Sequence, residues 1–216
     1  MHRHFLIHKP QGYLSQFIYE KKRPKKLLGE LYSFPDGTMA IGRLDEDSEG
    51  LLLLTTDGMI SEIVRSKTVE KEYYAQVDGI INEETIAQIK NGVEIGFKGI
   101  RYTTKECEAK IIHQLPDCIG EGRRIRDERH GPTSWISITL TEGKFRQVRK
   151  MTAAVGFPTL RLVRIRVGNL HLQNLKAGEV LEVESFFFEY QYKLIINIVI
   201  SRHEKLLGSA LLNLIR

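Results

Sequence analysis

Hydrophobic positions along this chain change period several times, and each change marks an element. Phe5-Leu6-Ile7-His8 is a short apolar run stopped by Lys9-Pro10-Gln11-Gly12, which predicts a strand and then a turn. Thr38-Met39-Ala40-Ile41 reads as a second strand. Leu51 to Thr55 is apolar without alternation, the pattern of a strand buried on both faces. Ile60, Ile63 and Val64 have helical spacing within Met59 to Arg65, whereas Glu72 to Val77 alternates aromatic and β-branched residues as a strand does. Asn82 is placed to cap a helix whose first turn holds Glu83 and Glu84 and which Asn91-Gly92 ends. Glu106 to His113 reads as a strand, Gln114 to Thr133 as a long polar loop suited to function, and Ser134 to Thr141 as a strand with Ile136, Ile138 and Leu140 on one face. A helix is expected from Phe145 to Val155, with Phe145, Val148, Thr152 and Val155 inward and Arg146, Arg149 and Lys150 on its other face; Gly156 and Pro158 close it. Leu160 to Val167 and Val180 to Val183 return as strands. Several strands follow one another directly, so the expected class is α+β with a mixed sheet. Tyr190 to Ile200 is apolar and strand-prone, and Ser201 to Arg216 weakly helical, with no chemistry of its own.

Composition changes this picture little. The chain has 216 residues, of which 42% are hydrophobic and 27% charged, enough for a full core. Two cysteines without a paired motif argue against a disulfide framework or a cysteine zinc site and fit a reducing cytoplasm. The opening Met1-His2-Arg3-His4-Phe5 lacks the shape of a signal peptide, and no apolar run approaches the ~20 residues of a membrane span. The net charge of +5 is modest, but its distribution is not even. Cations bunch at Lys21 to Lys26, at Arg123 to Arg129, and along Lys144, Arg146, Arg149, Lys150, Arg161, Arg164 and Arg166. Any one cluster alone reads as a solvated face, whereas the three together could form one surface that tracks phosphates.

Gly42-Arg43-Leu44-Asp45-Glu46-Asp47-Ser48-Glu49-Gly50 is the strongest candidate for chemistry, because it sets a carboxylate in a glycine-bounded turn ahead of a rigid strand. It begins like a calcium loop, but the twelfth position is Thr56 where a bidentate Glu is needed. A structural reading, Asp45 capping a turn beside Arg43, competes. His2, His4 and His8 have no partner acid or cysteine to complete a metal site and read as surface or partly buried residues. The GxSxG, HExxH, P-loop and GxGxxG patterns are absent.

Two further segments complete a pattern: Lys71-Glu72-Tyr73, and Glu142-Gly143-Lys144-Phe145-Arg146-Gln147-Val148-Arg149-Lys150-Met151. With Gly42 to Gly58 they resemble the three motifs of the RsuA family of RNA pseudouridine synthases, in the same order, and the resemblance covers about Phe5 to Glu184. It implies the pseudouridine synthase fold, a mixed and mainly antiparallel sheet in two lobes flanked by helices and loops. The expected catalytic domain is 1–189, without the small S4 RNA-binding domain that many members carry, followed by an extension at 190–216. The opening segment, with Arg124-Ile125-Arg126 and Pro132-Thr133-Ser134-Trp135, looks like the subgroup acting on large-subunit rRNA.

By resemblance, Asp45 is the catalytic acid at the sugar of a flipped uridine, Tyr73 stacks on the uracil, and Lys144 opposes the charge of Asp45. Arg43 is expected to contact RNA and help open the stack. Arg146 and Arg149 are expected at phosphates or in support of the site, and Lys150, Arg161 and Arg164 on the RNA-binding surface. The implied partner is 23S rRNA or a large-subunit precursor, with no cofactor, metal or membrane, and the enzyme is expected to be a cytoplasmic monomer. A non-catalytic rRNA-binding or assembly factor and a base-releasing glycosidase are the rival functions.

Overall fold

The computed structural model describes residues 2–19, 24–65, 69–119, 125 and 128–186. The expected cations Lys21, Lys22, Arg23, Arg123, Arg124 and Arg126 and the tail at 190–216 lie outside them. The chain divides into two compact units, Met1–Ser185 and Phe186–Arg216, and the first carries the sheet.

In chain order its strands and helices are β1 (His4–Lys9), β2 (Met39–Ile41), β3 (Glu49–Thr55), α1 (Gly58–Arg65), β4 (Lys71–Asp78), α2 (Glu83–Lys90), β5 (Glu94–Phe97), β6 (Ile100–Thr103), β7 (Glu108–Ile112), β8 (Thr133–Leu140), α3 (Gln147–Ala154), β9 (Thr159–Val167), β10 (Leu170–His171) and β11 (Val180–Val183). Among the described residues one sheet runs β11-β1-β3-β9-β4-β8-β7, with β2 joined to β3 and β10 to β9. Its ladders are antiparallel except where β3 and β9 meet in parallel at Glu49–Val163 and Gly50–Arg164. This is the α+β class expected from the direct succession of strands.

Among the described residues, two hydrophobic clusters build much of the core. Phe5, Ile7, Leu28, Leu44, Leu52 and Leu54 make one. The other gathers Ile86 and Ile89 of α2, Val148 and Met151 of α3, and the inward faces of β4 and β8, including Ile136, Ile138 and Leu140. Tyr73 packs against both. The unalternating run of β3 is buried throughout, as a central strand covered on both faces must be. Asn82 caps α2 by accepting from Thr85 N at 2.9 Å.

Three elements depart from expectation. The helix expected from Phe145 starts at Gln147, because Arg146 takes a left-handed conformation, φ 52°, that a helix cannot contain. Phe145 therefore leaves the buried stripe and is 68% exposed. A hairpin of β5 and β6 stands where no strands were expected; Lys98 and Gly99 at its tip both have positive φ, the geometry of a tight hairpin turn. His4 and His8 are buried, His4 meeting Thr55 Oγ1 at 2.9 Å and His8 the Leu175 carbonyl at 2.7 Å, so the surface reading of these histidines is corrected.

Candidate active site

Asp45 lies in the turn between β2 and β3, and the turn is held from two directions. Ser48 N donates to the Asp45 carbonyl at 3.1 Å, and Gly12 N to that of Glu46 at 2.8 Å. Ser15 Oγ donates to Leu44 O at 2.9 Å and accepts from Leu44 N at 3.0 Å, fixing both backbone groups of the residue before the acid. Lys25 Nζ reaches both carboxylate oxygens of Glu46, at 2.7 and 2.8 Å. From α3, Arg149 donates to Asp47 O at 3.0 Å and Ser48 Oγ at 3.3 Å. Arg146 closes a two-pronged pair on Asp47, each bond 3.0 Å, the planar fork matching the carboxylate. The same guanidinium reaches Asp45 Oδ2 at 3.3 Å.

Arg146 thus stands where Lys144 was expected. Lys144 Nζ instead lies 4.8 Å from the Phe97 ring centre and 4.6 Å from that of Tyr102, above the hairpin aromatics. That hairpin was not foreseen, so nothing in the sequence reading could pull Lys144 from Asp45. Burial disfavours the charge of Asp47, but the Arg146 hydrogen bonds and the Arg149 charge outweigh it and hold the carboxyl below its ordinary range. Glu142 is treated similarly: burial is outweighed by hydrogen bonds from Tyr102 Oη, Lys105 N and Gln147 Nε2. Glu142 and Gln147, which also accepts from Lys144 N at 2.9 Å, brace the third motif against the hairpin.

Tyr73 sits mid-strand in β4, opposite Ile138 of β8 and Arg164 of β9; Arg164 is in turn opposite Gly50 of β3. This row across the sheet carries Tyr73 to the strand that the Asp45 turn enters. Asp45, Tyr73, Arg43, Lys144, Phe145 and Arg146 line one cleft of about 550 Å³. Arg43 is exposed at its edge. Lys150 is tied by Nζ to Gly96 O at 2.7 Å and rests over the Phe145 ring.

Two of the arginines expected on an RNA surface are interior. Arg161 is 5% exposed, pairs with Glu49 at 2.9 and 3.0 Å and donates to Ile119 O at 2.7 Å. It braces β9 to β3 and cannot present itself to a phosphate, which corrects that expectation. Arg164 donates to Leu51 O at 2.7 Å and belongs to a cavity wall rather than an open face. A strand alternating arginine with apolar residues looks the same in sequence whether its arginines face water or buried acceptors. Ser15 escaped sequence reading for the opposite reason: a lone serine in a polar segment carries no signal of a partner 29 residues away.

A half-buried carboxylate, an aromatic ring and several cations line one cleft, an arrangement with the charge to hold a polyanion and a carboxylate to act on it. The chain matches the family described as RNA pseudouridylate synthase over residues 3–154. It belongs to that family, and it is a pseudouridine synthase. Ribosomal large subunit pseudouridine synthase E of Xanthomonas axonopodis pv. citri is 37% identical over 79% of this chain and 88% of its own length. The protein of the same description from Vibrio vulnificus is 39% identical over 82% and 74%. A solved structure described as a pseudouridylate synthase superposes with a TM-score of 0.65 at 26% identity, covering 85% of this chain and 70% of that one.

Proposed function

We propose that this enzyme converts uridine to pseudouridine at one or very few sites in 23S rRNA, in the free RNA or a large-subunit precursor, within the bacterial cytoplasm and as a monomer. The catalytic unit in this reading is 1–189, and 190–216 is an extension outside it. The observation that carries the reading is the meeting of Asp45 and Tyr73 in one cleft, with Arg146 on the carboxylate. The relatives named for the ribosomal large subunit support the choice of RNA.

The reaction breaks the C1′–N1 glycosidic bond, turns the uracil, and joins C1′ to C5; the C5 hydrogen leaves as a proton and N1 gains one. Oxidation state does not change, so the chemistry calls for no redox cofactor. A uridine inside a helix presents neither C1′ nor its ring face, so the base must leave the stack. Arg43, at the cleft edge, takes the role of contacting RNA where the base departs. Asp45 acts at the ribose, as nucleophile at C1′ or as base for the neighbouring sugar proton. Arg146, 3.3 Å from its carboxylate, supplies a facing positive charge as the RNA excludes water. Tyr73 stacks on the uracil and takes part in removing the C5 proton. Lys144, on the wall shared by Asp45 and Tyr73, contacts the bound nucleotide.

Incubation with unmodified 23S rRNA transcript, followed by carbodiimide treatment and primer extension, tests the reading. One or a few new stops, with no free uracil, are expected. Free uracil without new stops would identify a glycosidase, and neither product would leave the rRNA-binding rival.

A further inference from the structure

A second cavity of about 420 Å³ adjoins the Asp45 cleft, and the two share Arg43, Tyr73 and Glu142-Gly143-Lys144 as a common wall; Asp45 does not line it. Six cations do: Arg43, Arg65, Lys71, Lys105, Lys144 and Arg164. Glu142 is the one carboxylate among its lining residues, and its oxygens are already engaged by Tyr102, Lys105 N and Gln147. Arg43, Lys105 and Lys144 make no ion pair with a described carboxylate. The rest of the wall is largely apolar, with Ile41, Val64 and Val167 beside the Tyr102 ring.

Like charges gathered in a concave, partly dry site repel one another and focus a positive potential. The Glu142 carboxylate offsets one of the six charges, which leaves the wall positive and matched to an anion that arrives from outside. Burial and the nearby Arg164 charge push the Lys71 ammonium down to about 8, a cost that such an anion would relieve. The volume lies within the ~300–1,000 Å³ usual for ligand sites, and a lining that mixes apolar and cationic side chains suits a ligand that is part sugar and base, part phosphate.

We propose that this cavity is a subsite for the nucleotide adjoining the target uridine, its phosphodiester held by Arg43, Lys105 and Lys144 and its ribose or base laid against Tyr102 and Ile41. The assignment rests on the RNA reading of the Asp45 cleft. A nucleotide one phosphodiester from the target has to lie beside that cleft, and this cavity shares its wall. By engaging the neighbour, the subsite would hold the strand while the uridine is out of the stack, and it would give the enzyme a means of reading sequence context.

Lys105 and Arg65 are exposed and stand outside the proposed chemistry. Lys105→Gln and Arg65→Gln are compared with wild type by tritium release from 23S transcript carrying [5-³H]uridine, and by filter retention of the same RNA across a salt series. Lys105→Gln is expected to raise KM about tenfold, the loss of one charge-assisted hydrogen bond, with kcat unchanged. The slope of log affinity against log salt should fall by about 0.7 per lost phosphate contact. Lys105→Arg should restore both. An unchanged salt slope in both Gln variants, or a fall in kcat with KM unchanged, overturns the subsite. Absence of tritium release by the wild type overturns the proposed function instead, and the salt slope still judges the subsite.

Discussion

Arg146 divides one guanidinium between two carboxylates, 3.0 Å from Asp47 and 3.3 Å from Asp45. Asp47 anchors the arginine, and the anchored arginine supplies charge to Asp45. Arg146→Met should lower kcat about a hundredfold, the scale of losing one preorganised charge, and more than Lys144→Met does. Single-turnover kinetics at saturating RNA compare the two; a larger loss in Lys144→Met would return the counter-cation role to Lys144. The candidate site residues Asp45, Tyr73 and Lys144 were legible in the sequence because they stand in spaced motifs. Their partners were not, because Arg146 owes its position to a left-handed backbone angle and Lys144 to the aromatics of Phe97 and Tyr102.

At the scale of elements, the meeting of β3 and β9 sets the site. A Cβ on Gly50, whose φ is +105°, would fall 2.3 Å from the Arg164 carbonyl oxygen and 2.6 Å from its nitrogen, both backbone atoms that cannot swing aside. Gly50→Ala should therefore destabilise the protein by at least ~2 kcal/mol, seen as a lower denaturant midpoint; an unaltered midpoint would contradict the close approach. The neighbouring Glu49–Arg161 pair, with side chains 10% and 6% exposed, makes a second test. Arg161→Met leaves Glu49 charged and buried, at a cost of ~3–5 kcal/mol, whereas Glu49→Leu with Arg161→Met should recover most of it. A double variant as unstable as the single would show that the pair does more than satisfy itself. The long strands were legible from alternation or unbroken apolar runs. The β5–β6 hairpin was not, since Glu94-Ile95-Gly96-Phe97 has too few apolar residues to stand out. The start of α3 was misplaced because Phe145 and Arg146 continue a helical spacing that the backbone does not follow.

Across the whole molecule, much of the positive charge is spent inside. Arg149, Arg161 and Arg164 hold backbone or buried acids, and Arg166 pairs with Glu70 and Glu72. Among the described residues, Arg43, Arg65, Lys71, Lys105 and Lys144 line the two adjoining cavities, so the modest net charge understates how positive that face is. The same internal pairing sets acid stability. Asp47 and Glu142 are both held below the ordinary carboxylate range. Each binds its proton less readily folded than unfolded, so its stabilisation is complete above about pH 4.5 and is lost as pH falls through the lowered folded values. Thermal unfolding from pH 6 to pH 2 should show this decline, and Asp47→Asn should reduce it; an identical pH profile in that variant would contradict the linkage. No helix of the described residues is long and apolar enough to cross a membrane.

In the proposed function, Asp45 carries out the isomerisation of uridine in ribosomal RNA. Its most direct test sets wild type beside Asp45→Asn on unmodified 23S transcript, mapping pseudouridine by carbodiimide and primer extension and measuring RNA retention on the same samples. The expected result is new stops with wild type, none with Asp45→Asn, and RNA binding within a few-fold of each other. Equal conversion by Asp45→Asn would contradict it.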